Sequence, residues 1–248
     1  MTISPPLVDT LSASSSTNAH SPLNLRQSLV LLVSAVVATV LILGITVLVI
    51  ILIPGARENG LVVLGVTFPV HAALLLVVTH WGLRRAGIGW RTLGFTRPTL
   101  HILHLLWQIP VIFVALLTVQ LLTFAVTGTP PVSEGGGIDA LTTSAGPLVA
   151  LAVFIGASLL TPLWEEAIFR GVIHGGLRRR FGCFLASLLS AAIFAAFHGV
   201  PILLPYMLTL GLALAFLREF HRTLWASVIM HVCLNSLVGS AVLISVLT

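Results

Sequence analysis

Charge is what this chain has least of. Across 248 residues, Asp, Glu, Lys and Arg together make up 8%, only seven side chains are acidic, and lysine is absent. A soluble domain of this size would carry about a quarter charged residues, so a water-soluble globule is excluded. Cysteine is scarce too. Cys183 and Cys233 are the only two. They lie in or beside apolar segments without metal-type spacing, so both read as small apolar filler. No basic patch interleaved with aromatics or glycines is present, which argues against nucleic acid as a partner. There is no internal repeat and no second soluble domain.

What fills the chain instead is hydrocarbon. Apolar residues make up 57% and the mean hydropathy is +1.11, which implies an all-α, multi-pass helical protein surrounded by lipid bilayer. Residues 1–27, rich in Ser, Thr, Pro and Asn, read as a disordered tail on the cytoplasmic side. Residues 28–146 hold the first helices. Leu29–Ile53 is too long for the apolar core of a signal peptide, about 7–15 residues, and reads as a retained span. Leu61–Trp81 is the second, with His71 in mid-span hydrogen-bonded to a neighbouring helix. A basic loop, Gly82–Pro98, leads to the third span, His101–Val126. A Gly/Pro-rich loop carrying Glu134 and Asp139 follows.

Residues 147–248 form the remaining core: an apolar segment from Pro147 to the Arg178–Arg180 run, then spans near Cys183–Val200, Ile202–Leu217 and Leu224–Leu247. The count is about seven, within six to eight. With the amino terminus inside and the carboxyl terminus outside, ten arginines fall on the inner side and only Arg57 on the outer, with Arg170 in the membrane. That asymmetry is the positive-inside pattern, and it predicts a cell (cytoplasmic) membrane location.

Against this background Thr161-Pro162-Leu163-Trp164-Glu165-Glu166-Ala167-Ile168-Phe169-Arg170 stands out. A carboxylate in a hydrocarbon setting costs several kcal/mol unless paired, so it marks a functional site. Glu166 and Arg170 are four apart and can neutralise each other across one helical turn. Glu165 lies about 100° further round and has no such local partner, which makes it the better candidate base. Pro162 predicts a kink or break one turn earlier. His174 extends the Glu166–Arg170 face as a structural or supporting histidine.

Two later pairs repeat the four-residue spacing: Phe194 with His198, and His231 with Asn235. Counted at about 1.5 Å per residue from the inner arginines, Glu165, His198 and His231/Asn235 reach similar depths, roughly 13–22 Å. Their convergence predicts one site. A carboxylate beside an imidazole can deprotonate water, and a second imidazole and a carboxamide can donate to an oxyanion. Equally, Glu165, His198 and His231 form a His₂Glu set that could hold zinc with one position open. The metal-free and zinc readings both stay open at this stage.

Glu165-Glu166-x-x-x-Arg170, Phe194-x-x-x-His198 and His231-x-x-x-Asn235, in that order, resemble the CAAX-protease and bacteriocin-processing (CPBP, or Abi) family of intramembrane proteases. The resemblance covers roughly residues 147–247. It implies a CAAX prenyl protease-like endopeptidase, often labelled a metalloprotease, that hydrolyses a membrane-associated peptide or protein. Glu165 would be the base, assisted by His198; His231 and Asn235 would stabilise the oxyanion; Glu166 and Arg170 would support the site. The rival readings are a non-hydrolytic immunity or binding protein against a bacteriocin-like peptide, and a proton-coupled transporter, which the absence of a repeat weakens. Other intramembrane protease types fit less well, since neither His-Glu-x-x-His nor Gly-x-Gly-Asp is present. Ser158, in a faint rhomboid-like context, reads as a packing residue.

Overall fold

The computed structural model of the protein describes residues 23–128 and 146–247, all helices and short connections, with no strand among the described residues. The expected disorder of residues 1–22 and the loop bearing Glu134 and Asp139 fall outside them. Among the described residues the helices are, in order, α1 Leu25–Leu52, α2 Pro54–Glu58, α3 Gly60–Arg85, α4 Trp90–Leu93, α5 Leu105–Thr127, α6 Pro147–Arg178, α7 Cys183–Phe197, α8 Leu204–His221 and α9 Leu224–Leu247, with short 3-10 turns between some of them. Among the described residues five stretches are long and apolar enough to cross a membrane: Arg26–Leu52, Gly60–Arg85, Leu100–Thr127, Pro147–Arg178 and Pro201–His221. Two shorter apolar helices, Cys183–Phe197 and Leu224–Ser240, stand where the remaining spans are expected.

Helix α1 starts three residues inside the segment read as tail. The cause is a capping box: the Asn24 side chain accepts from the Gln27 backbone N–H at 2.9 Å, and Gln27 Oε1 accepts from the Asn24 N–H at 3.0 Å. Two of the orphan donors at the helix start are satisfied this way. At the other end of the chain, α7 stops at Phe197 rather than Val200, because Gly199 takes a left-handed φ of 67° and Pro201 follows. His198 therefore sits at the helix terminus and not inside it.

Pro162 changes the winding of α6 without breaking the helix. Gly156–Leu160 is a π turn, in which the Thr161 N–H bonds to the Gly156 carbonyl five residues back. In that register the Ala157 carbonyl would accept from residue 162, a proline with no N–H to give. The Asn235 side chain of α9 supplies the missing donor, its Nδ2 lying 3.0 Å from Ala157 O. A second π stretch, Glu166–His174, carries the central polar motif. Ser190 of α7 donates to the Phe169 carbonyl inside it at 3.0 Å. Wide turns of this type are frequent at functional sites.

Glycines set the helix spacing at two seams. A Cβ on Gly211 of α8 would come within 2.9 Å of the Ala191 backbone on α7. A Cβ on Gly156 would meet Pro69 of α3 at 2.9 Å, so α3 lies directly on the first π turn. The basic loop is tied to the α8–α9 turn: Leu224 N–H bonds to Gly94 O at 2.9 Å and the Thr223 hydroxyl to Thr96 O at 2.9 Å. Large apolar side chains such as Val40, Leu41 and Leu52 project outward from α1, as a lipid-facing surface requires. Cys183 and Cys233, read from the sequence as apolar filler, are free thiols and both are exposed. They face outward and do not fill the core.

Candidate active site

The ion pair predicted between Glu166 and Arg170 is present and buried: Oε1 and Nη1 lie 3.0 Å apart with side-chain exposures of 0% and 1%. Arg170 also donates through Nη2 to the Gly211 carbonyl at 3.3 Å, and its guanidinium lies 4.3 Å from the Phe194 ring centroid. A charge withdrawn from water is tolerable only with such a set of partners. Gly211 thus serves twice, as the close-packing point for α7 and as an acceptor for Arg170. His174, further along α6, is buried against Ser187 at 3.2 Å and lies 3.9 Å from Glu219. It belongs to a polar contact between helices, away from the cavity described next.

Glu165 turns to a different space, one shared with the other motif residues. A cavity of about 330 Å³ is lined by Glu165, Thr161 and Trp164 of α6, His198 and Phe197 at the end of α7, His231 and Asn235 of α9, and an apolar wall including Leu203, Met207 and Leu210. Three segments expected to carry polar groups to one site contribute to the lining of this cavity. Another helix supplies Glu165 with a neighbour: His231 Nε2 lies 3.7 Å from its Oε2. That is an ion-pair separation and longer than a hydrogen bond. The other nitrogen of the same ring, Nδ1, is 3.1 Å from Glu166 Oε1. His231 therefore stands between the two carboxylates.

The proton positions on His198 follow from its neighbours. Its Nδ1 is 2.8 Å from the Phe194 carbonyl, which can only accept, so Nδ1 carries the hydrogen. In the neutral ring Nε2 then holds a lone pair. The four-residue spacing of Phe194 and His198 thus has two consequences: a backbone cap at the end of α7, and a ring contact at 4.6 Å between centroids. Asn235 spends one amide hydrogen on Ala157 O, and its backbone carbonyl accepts from Ser158 at 3.2 Å. Ser158 is thus a buried tie between α6 and α9.

With this geometry in hand, comparison with known proteins is informative. Residues 147–237 match the family described as "Type II CAAX prenyl endopeptidase Rce1-like". Through this segment the chain is similar to the CAAX prenyl endopeptidases. It is similar to "Putative membrane peptidase YdiL" of Bacillus subtilis (strain 168), 29% identical over 139 residues that cover 55% of each chain. It is also similar to "UPF0177 protein YxdF" of Lactococcus lactis subsp. lactis (strain IL1403), 28% identical over 160 residues, 62% of this chain and 88% of that one. The chain thus matches only about half the length of YdiL. No solved structure matches it.

The metal that the family resemblance implies finds no assembled ligand set here. Each cavity histidine offers one ring nitrogen at most, His231 Nε2 facing Glu165 with Nδ1 on Glu166, and His198 Nε2 with Nδ1 on the Phe194 carbonyl. Among the described residues no group of three or more His, Cys, Asp or Glu side chains is gathered to hold an ion. Three residues that the sequence reading did not place at the site line the cavity. Trp164 was visible only as part of the apolar run, yet it lines the cavity and its buried indole N–H has no hydrogen-bond partner. His71 and its neighbour Phe68 reach the cavity from α3, outside the segment that matches the family. Nothing in the local sequence ties residue 71 to residue 165. The link is the Gly156–Pro69 contact.

Proposed function

We propose that the chain is an intramembrane endopeptidase of the cytoplasmic membrane, hydrolysing a peptide bond in a membrane-associated peptide or protein, as a CAAX prenyl protease does. The observation that carries this reading is the common cavity of Glu165, His198, His231 and Asn235, drawn from three helices. Glu165 takes a proton from a water held between its carboxylate and the Nε2 lone pair of His198. The water oxygen adds to the scissile carbonyl carbon, and the charge that develops on the carbonyl oxygen is met by the Asn235 amide hydrogen not given to Ala157. Glu165 then passes the proton to the leaving nitrogen as the C–N bond breaks, giving a carboxylic acid and an amine, which become carboxylate and ammonium when the acid's proton moves to the amine; no covalent enzyme intermediate forms. His231 holds Glu165 in register with the Glu166–Arg170 pair beneath it. The arginine distribution supports a cytoplasmic amino terminus.

The deciding experiment is Glu165→Gln in purified protein with a farnesylated peptide carrying three residues beyond the prenylated cysteine. Cleavage should fall by about 10²–10⁴. Full retention would remove the base. Cells in which Glu165→Gln and His198→Ala proteins still protect against a toxic peptide would favour the binding, non-hydrolytic reading.

A further inference from the structure

Outside the family segment, α3 places one titratable side chain in the catalytic cavity. His71 lines it together with Glu165, His198, His231 and Asn235, so it is part of the same space and more than a contact between helices. Its hydrogen-bonding state can be worked out from α1. The Thr39 hydroxyl donates its single hydrogen to the Ala35 carbonyl at 3.0 Å. With that hydrogen on Ala35, the Thr39 oxygen accepts from His71 Nε2, 2.9 Å away. In that arrangement Nε2 carries the hydrogen, and in the neutral ring Nδ1 is left with a lone pair.

That lone pair differs in kind from the other polar groups of the cavity. Glu165 and His198 are needed for the water, His231 for Glu165, and Asn235 for Ala157 and the oxyanion. Trp164 contributes a donor. An extended peptide threaded past the reacting carbon presents main-chain N–H groups as well as carbonyls, and each N–H taken out of water needs an acceptor. Resting on the peptidase reading above, we propose that His71 Nδ1 accepts a hydrogen bond from a main-chain N–H of the bound peptide and so sets its register against Glu165. Thr39 has a role at one remove: it holds the ring in the tautomer that keeps Nδ1 an acceptor. The amino-terminal helices thereby join in substrate positioning and are more than a lipid-facing wall.

Two amide replacements separate this role from a purely structural one. In Asn the side-chain amide falls near the place of Nδ1; in Gln it falls near the place of Nε2. If His71 acts on the peptide through Nδ1, His71→Asn keeps the function and His71→Gln loses it. A histidine that merely ties α3 to Thr39 gives the opposite order. The experiment measures binding of the dansyl-labelled, farnesylated peptide to Glu165→Gln protein, into which His71→Ala, His71→Gln and His71→Asn are added, with thermal unfolding of each. Loss of one hydrogen bond should weaken binding roughly three- to ten-fold in the Ala and Gln proteins, with the Asn protein close to the parent. In the cleavage-competent background the same variants should raise KM with kcat little changed.

The inference is overturned if Gln restores binding and Asn does not, if all three variants bind like the parent, or if the parent binds no such peptide. A Glu165→Gln protein that still cleaves would defeat the proposed base and leave the His71 binding result standing.

Discussion

Helices α1, α3 and α5 and helices α6 and α8 are all apolar enough to cross a membrane, yet they use that apolarity differently. In their most apolar windows the first three bury only 11–17% of residues against protein, whereas the stretches Pro147–Arg178 and Pro201–His221 bury 33% and 44%. The early helices spend their surface on lipid. The later ones pack on each other around Glu166, Arg170 and His231, all buried. Hydropathy alone does not separate the two groups, because lipid and protein interior reward the same side chains. What separates them is where polar groups demand partners.

The largest effect that tests this division is chemical. Glu165→Gln should remove about 10²–10⁴ in rate while leaving thermal unfolding near that of the parent, since Glu165 borders a cavity and is not the centre of the ion pair. A collapse of the fold instead would mean that Glu165 is needed for packing, and the contrast between working and supporting carboxylates would fail.

Next in size is Arg170→Ala. It takes the guanidinium away from the fully buried Glu166, leaving His231 as a neighbour, and should cost about 3–5 kcal/mol of stability, with loss of activity. Arg170→Lys should recover little, because one ammonium cannot serve Glu166 and the Gly211 carbonyl with the geometry of the guanidinium fork. Denaturation in detergent micelles gives the measurement. A variant as stable as the parent would show that the pair contributes less than its burial implies.

How far the sequence could be read follows the same line. Side chains that announce themselves by polarity in an apolar run were legible: Glu165, Glu166, Arg170, His198, His231 and Asn235 lie where motif spacing suggested, all in or beside one site. Winding was not legible. Pro162 suggested a break, but a proline can also be absorbed by a π turn when another helix caps the freed carbonyl, and that cap, Asn235, is 78 residues away from Ala157. The distribution of partners was equally hidden. Glu165 looked partnerless because only its own helix was considered, and no spacing rule reports that His231 lies between both glutamates. His71 was read correctly as bonded to a neighbouring helix, but its place in the cavity depends on how α3 lies on Gly156.

That seam gives a sharper test of the contrast. In Gly156→Ala the new methyl would meet the Pro69 backbone at 2.9 Å and Phe68 at 3.3 Å, and a backbone atom cannot swing aside. The cost should be about 1–3 kcal/mol, typical of overpacking. It should also shift Phe68 and His71 relative to Glu165, so KM for the farnesylated peptide should rise more than kcat falls. If stability drops while KM is unchanged, α3 and α6 touch without sharing a function.

The smallest predicted effect probes the other side of the comparison. Leu41 lies on α1 with 59% of its surface uncovered by protein. In water such a leucine would be a liability; in a bilayer its neighbours are acyl chains, which solvate a leucine in the folded and the inserted but undocked states alike. Leu41→Ala should therefore change stability by less than about 0.5 kcal/mol, the usual range for substitutions away from packed contacts. Leu210, fully buried and facing the cavity, should by contrast lose about 2–5 kcal/mol on the same truncation. Unfolding both variants side by side in lipid nanodiscs makes the test internal. A Leu41→Ala protein destabilised as much as Leu210→Ala would mean that α1 packs against a protein surface, and the outer face of this helix would then have to be counted as an interface and not as a boundary with lipid.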